Sequence, residues 1–210
     1  AFNGDIGYWD VSNVTNFYYS FSGATSFNQD ISSWDVSKAT SLNQMFKNAT
    51  SFNQDISSWD VTNVTNMAAM FWGASAFNQD LSSWGNKIGN AEISNMFSGA
   101  TSFNQDISSW DVSNITNMMY MFYGATSFNK DISSWDVSNI TNMESMFSGA
   151  TSFNQDISLW DVSSVTNMEN MFYQASAYNQ DLSDWDVSYF SAQPTGFSAY
   201  ATSWEASNQP

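Results

Sequence analysis

The sequence predicts an α/β repeat solenoid: a right-handed stack of about eight 25-residue units, each a strand followed by a short helix, with the strands in one parallel ladder. Three observations carry that expectation. The string Ser-Phe-Asn-Gln-Asp-Ile-Ser-Ser-Trp-Asp-Val returns with a fixed period, placing tryptophans at Trp9, Trp34, Trp59, Trp84, Trp110, Trp135, Trp160 and Trp185. Each interval is 25 residues except the fourth, which is 26. An aromatic residue opens every unit in step with them: Phe2, Phe27, Phe52, Phe77, Phe103, Phe128, Phe153 and Tyr178. Apolar residues inside a unit recur at spacings that suit a strand and then a helical turn.

The unit beginning at Phe103 shows the reasoning. Ile107, Trp110 and Val112 stand at relative positions 1, 4 and 6; Trp110 and Val112 are two apart and point inward from a strand. Ile115 to Met118 is read as an extended turn back across the core. Met118, Met121 and Phe122 are spaced i, i+3, i+4, one face of a helical turn. Gly124 supplies a stop, and Ala125 to Asn129 returns the chain to the next strand. The aromatic opening, tryptophan and methionine columns are read as core filler. The Asn that follows each opening aromatic (Asn3, Asn28, Asn53, Asn78, Asn104, Asn129, Asn154, Asn179) is read as a structural ladder that satisfies turn N–H groups.

Composition excludes much chemistry. Cys, His and Arg are absent, which removes the usual zinc and copper ligands and the Ser-His and Cys-His nucleophile pairs. The only cations are Lys38, Lys47, Lys87 and Lys130, and a formal net charge of −16 repels nucleic acid and anionic lipid. No run is long and apolar enough to form a membrane-spanning helix. Residue 1 falls inside a repeat, so the expectation is a segment of a longer protein. The whole of 1–210 reads as one repeat domain, regular over 1–188 and degraded over 189–210.

Of 16 aspartates, 15 fall in two columns, Asp5 to Asp181 and Asp10 to Asp186. Stacked carboxylates repel, so each is expected to accept turn N–H and Ser hydroxyl bonds, with some pKa values raised. A Ca²⁺ ion held between coils is the sharper reading, with Asp30, Asp55, Asp106, Asp131 and Asp156 as candidate ligands; one carboxylate per coil falls short of the six to eight oxygens Ca²⁺ takes. Paired carboxylates suit a glycosidase, but here they form ladders rather than one isolated pair, so no enzyme and no catalytic residue is expected.

The variable positions are the other lead. Inside Met-x-x-Met-Phe-x-Gly the free residues include Trp72, Met119, Tyr120, Tyr123 and Tyr173, a candidate partner-binding patch. The fourth repeat, Gly85 to Glu92, gains a residue, loses its Asp and is read as a bulge. Asn13, Asn48, Asn63, Asn114 and Asn139 are Asn-x-Thr glycosylation acceptors by sequence.

The motif Trp-Asp-Val-Ser-Asn-Ile-Thr-Asn-Met-x-x-Met-Phe-x-Gly-Ala-Thr-Ser-Phe resembles the BspA-type leucine-rich repeat surface proteins, and among them the branch first noted as a domain of unknown function in mycoplasma lipoproteins. The resemblance covers residues 1–188 and lapses at Gly85–Glu92 and after Ser188. It implies a leucine-rich-repeat-like stack at the cell surface or outside the cell, and no catalytic residues. The expected role is a non-enzymatic secreted or surface module for adhesion or protein–protein interaction. The alternative is a structural subunit that self-assembles into a surface layer, filament or larger assembly, with Ca²⁺ between coils.

Overall fold

The computed structural model describes residues 2–210. Successive repeats lie on one another, but the unit is not the strand and helix expected from the spacing. Among the described residues there is no α-helix, no extended strand and no sheet; two 3₁₀ turns, Ser82–Lys87 and Ala206–Asn208, and isolated parallel bridges such as Asn16 to Ser41 and Asn117 to Asn142 are all the regular structure present. The α/β solenoid with its parallel strand ladder is therefore set aside.

Each unit is instead a coil made of consecutive β-turns. In the coil that starts at Ile107, i+3 N–H groups donate to i carbonyls from Trp110 to Ile107, Ile115 to Val112, Met121 to Met118, Tyr123 to Tyr120, Ala125 to Phe122 and Phe128 to Ala125, at 2.9–3.2 Å. The apolar residues sit at turn ends, so a spacing of three brings both ends to the same side of the chain. Polar Ser, Asn and Thr fill the corners, and their neighbours close Asx-turns: Asp106 Oδ1 accepts the Ser108 N–H, Asp111 Oδ1 that of Ser113, and Asn117 Oδ1 that of Met119. Two residues per coil take positive φ, as the third residue of a type II turn requires. In this coil they are Tyr120 (φ 56) and Gly124 (φ 63).

The Met-x-x-Met-Phe segment fails to become a helix because alternate N–H groups are taken by the next coil. Met118, Tyr120, Phe122 and Gly124 donate to the carbonyls of Asn142, Glu144, Met146 and Ser148 at 2.7–2.9 Å. An α-helix needs each of those donors for its own i−4 carbonyl. Along the threonine column the direction reverses: Thr40, Thr65, Thr141 and Thr166 donate to Thr15, Thr40, Thr116 and Thr141.

Elsewhere side chains join the coils. The invariant Asn column forms a continuous ladder, each Oδ1 accepting the N–H of its successor at 2.8–3.0 Å from Asn3–Asn28 through Asn154–Asn179, and Glu205 N–H closes it on Asn179. Indole Nε1 groups donate to the carbonyl of the preceding coil, as Trp135 does to Ile107 at 3.1 Å, and Ser134 Oγ donates to Ser108 O. The core between these seams is a double aromatic stack. Phe27 to Tyr178 follow one another at 5.7–6.2 Å and Phe21 to Phe172 at 5.6–5.9 Å, with 3.8–4.4 Å between the two columns. Indole centroids lie 6.5 Å apart, whereas backbone-bonded neighbours sit about 4.8 Å apart. The coils therefore fan open from the backbone-bonded seam toward the tryptophans, where interposed side chains hold them wider.

The extra residue of the fourth coil is absorbed by the Ser82–Lys87 turn. The cost is local: no bridge joins Glu92 to Asn117, and the buried Trp84 Nε1 has no partner among the described residues. At the far end Phe197 and Trp204 meet Phe172 edge-on (5.5 and 5.0 Å), ending the parallel stacking.

Candidate functional site

The seam of backbone bonds also builds the outer surface of the Met-x-x-Met-Phe-x-Gly strip. Within it, the residue before each glycine position reads Lys47, Trp72, Ser98, Tyr123, Ser148, Tyr173 and Ala199 in successive coils. From Trp72 to Tyr173, aromatic and serine alternate. The carbonyls of this column are fixed one to the next coil: Gly73 N–H donates to Ser98 O at 2.7 Å, Gly99 N–H to Tyr123 O at 2.6 Å and Gly149 N–H to Tyr173 O at 2.7 Å. At about 4.8 Å per coil, aromatic side chains two coils apart stand about 10 Å from one another.

Trp72 and Tyr123 are exposed (39% and 46%), while Ser98 and Ser148 are buried beneath them. Trp72, Tyr120, Tyr123, Asn95 and Ser98 enclose a cavity of about 290 Å³. Lys47 Nζ sits 3.9 Å from the Trp72 ring centroid, from the preceding coil, so one indole face looks back along the stack and the other looks into the slot. Tyr120 packs 5.6 Å from Tyr123 and donates its hydroxyl to Glu144 Oε1 at 2.6 Å; that bond raises the Tyr120 pKa and keeps the phenol protonated. Two coils beyond Tyr123 the same column carries Tyr173, with the buried Ser148 in the coil between, and Tyr173 packs edge-on to Tyr200 at 5.3 Å. The positive φ of Tyr120 belongs to the architecture and not to the site, since Ala69 and Ser145 share it.

The structure thus draws Trp72, Tyr120 and Tyr123 together. Tyr173 lies two coils beyond Tyr123 in the same column. Met119 is half-buried, its Sδ 3.9 Å from Asn142 Nδ2. Asn95, Ser98 and Ser148 were not singled out by sequence; the signal was the aromatic–serine alternation at a two-coil period.

The aspartate columns accept the turn N–H and Ser hydroxyl bonds expected of them, and differ from the expectation in the direction of their pKa shifts. Asp30, Asp55, Asp106, Asp131 and Asp156 each spend Oδ1 on the N–H of the serine two residues on, at 2.9 Å. Where a shift is resolved it is downward, not upward. The backbone and hydroxyl bonds from serine lead for Asp30, Asp55, Asp106 and Asp156, and the hydroxyl leads for Asp10, Asp35, Asp111 and Asp136; repulsion from the next carboxylate is a smaller, opposing cause where it is resolved. Among the described residues no three acidic side chains gather as a metal cage. The acceptor asparagines Asn13, Asn48, Asn63, Asn114 and Asn139 are all exposed, although Asn63 and Asn139 already donate Nδ2 to Ser37 O and Ser113 O at 2.8 Å.

The largest cavity, about 660 Å³, is the open face of the first coil, lined by Phe2, Ile6, Trp9, Phe17 and Phe21. These are members of the core columns. Among the described residues no helix is long and apolar enough to cross a membrane.

Comparison with curated proteins and with solved structures gives no match to either. A family signature does match, over residues 1–90 and again over 91–208, and on that evidence the chain belongs to the family described as Mycoplasma protein of unknown function, DUF285.

Proposed function

We propose that the chain is a non-enzymatic recognition module that makes adhesive or protein–protein contacts through its aromatic slots, outside the cell or on its surface. One observation carries the reading. Large rings stand exposed at Trp72 and Tyr123 and, with Tyr120, line one cavity over the buried Ser98. Exposed aromatic groups that cluster mark contact surfaces, and Trp and Tyr are the residues that dominate binding energy at such places. The resemblance of the repeat to BspA-type surface proteins supports the same reading and the extracellular location.

The test is adhesion of protein-coated beads to cell surfaces. Trp72→Ser and Tyr123→Ser are expected to abolish it with the melting temperature unchanged, because neither ring is part of the core. Adhesion that survives both substitutions overturns the proposal. The exposed rings of Trp72 and Tyr123 also suit a second reading, a structural subunit that packs into a larger assembly. Sedimentation of the purified chain separates the two, since a dispersed monomer rules the assembly out.

A further inference from the structure

We infer that the slot between Trp72 and Tyr123, with its in-register repeat toward Tyr173 as a second slot, takes a proline-rich segment in the polyproline II conformation, with basic residues toward Glu144 and Glu169; this rests on the recognition reading above and names its ligand. Four features of the strip agree. The first is pitch. A polyproline II helix rises about 3.1 Å per residue and turns once in three residues, about 9.3 Å. The aromatic walls recur at about 10 Å, so every third ligand residue meets the next slot.

The second is width. The coils fan open on the far side of this seam, so the walls stand a little closer than about 10 Å, and carbon contacts of about 3.5–4.0 Å on each leave room for a single ring between them. A prolyl pyrrolidine ring is of that size. The third is hydrogen bonding. Polyproline II leaves its carbonyls unpaired, and the Asn95 amide and the Ser98 hydroxyl line the cavity as donors.

The fourth is charge. Glu144 and Glu169 occupy one column in the coils beside the second slot, whereas Lys47 lies over Trp72 at the other end. The strip is polarised, and it orients a ligand whose cationic end lies over the glutamates. The Trp72 ring faces along the stack, as the Lys47 contact shows. A glycan chain lying in the groove would meet its edge instead of stacking on its face, which disfavours that occupant.

The test is fluorescence anisotropy of a labelled proline-rich peptide with a terminal Lys pair, against a Gly-Ser peptide of equal length and charge and against soluble glycan oligomers as competitors. The expected result is saturable binding of the proline-rich peptide alone, weakened about tenfold or more by Trp72→Ser or Tyr123→Ser. Glu169→Gln is expected to weaken it less and to flatten its salt dependence. Tyr18→Ser, an exposed aromatic outside the slots, should leave binding intact. Near-UV circular dichroism verifies that each variant is folded.

Equal binding of the Gly-Ser peptide, displacement by glycan, or binding indifferent to Trp72 and Tyr123 overturns the inference. Bead adhesion that still needs Trp72 while the proline-rich peptide fails to bind sinks this ligand and leaves the recognition reading standing. If adhesion is also indifferent to Trp72, both fall.

Discussion

Restoring the repeat consensus at Gly85 should weaken the protein. The equivalent position is Asp60 in the preceding coil and Asp111 in the next, each closing an Asx-turn, so sequence logic favours Gly85→Asp. The geometry opposes it. A Cβ at Gly85 would lie 2.8 Å from the Ser109 carbonyl oxygen and 3.2 Å from its Oγ. The first of these is backbone that cannot swing aside. Relief requires moving one coil against the other, and the Asp111 N–H bond to Gly85 O, 2.9 Å long, holds them there. Overpacking of this kind costs about 1–3 kcal/mol, and about 1 kcal/mol regained by a new Asx bond offsets only part. For a chain of this size each kcal/mol moves the midpoint by about 2–4 °C, so a drop of roughly 3–10 °C is expected for Gly85→Ala, and a smaller one for Gly85→Asp. Gly89 is the control. Nothing lies within 4 Å of a Cβ there, and Gly89→Ala should be neutral or stabilising by up to about 1 kcal/mol. Thermal and guanidinium melts read the outcome. If Gly85→Asp melts at or above the parent, the steric account of the fourth coil is wrong.

Three other results are expected. Tyr178 stands in a phenylalanine column with its hydroxyl buried and without a partner among the described residues, and burial drives its pKa upward. Tyr178→Phe should therefore lose no stability and gain up to about 1 kcal/mol in a denaturant melt; a loss of that size would reveal a missed bond. Asn104→Ala orphans the Asn129 N–H at 3.0 Å and should cost about 1–3 kcal/mol, whereas Asn104→Asp keeps the acceptor and should recover most of it; equal losses would deny the ladder its role. Asp10, Asp30, Asp156 and the other aspartates whose shift is resolved titrate below their ordinary value of 3.8 in the folded state, so on acidification the unfolded chain takes up protons first. The melting temperature should hold steady from about pH 7 to 5 and fall below about pH 4. Because hydrogen bonds and not ion pairs cause the shifts, the fall should persist in about 1 M NaCl. A midpoint that rises between pH 5 and 3 would contradict this.

The stacking was legible in the sequence because equal spacing of Phe, Trp, Asn and Asp leaves few ways to bury the aromatics. The asparagine ladder was legible for the same reason: an invariant amide at a corner needs a partner one period away. The path of the backbone within a unit was not. A spacing of three between apolar residues serves a helical face and the two ends of a β-turn equally, and Met118, Met121 and Phe122 satisfy both. What decides is where the N–H groups go, and those of Met118, Tyr120 and Phe122 go to the next coil. The sign of the aspartate shifts was misjudged because like-charge repulsion across coils was weighed above the serine two residues away. Trp72, Tyr120 and Tyr123 were visible as free positions, but Ser98 became part of a site only once the coils placed it between two rings.

The alternation of backbone bonds along the Met-x-x-Met-Phe-x-Gly stretch gives every coil unlike rims, amide protons on the side of residue 210 and carbonyl oxygens on the side of residue 1. A flipped neighbour would set like against like, so units join head to tail only. Gain or loss of whole repeats leaves both seams matched, and such a protein can change length freely without inventing a new junction. A fractional gain cannot be hidden in this way: the additional residue of the fourth unit leaves its scar in the missing link between Glu92 and Asn117.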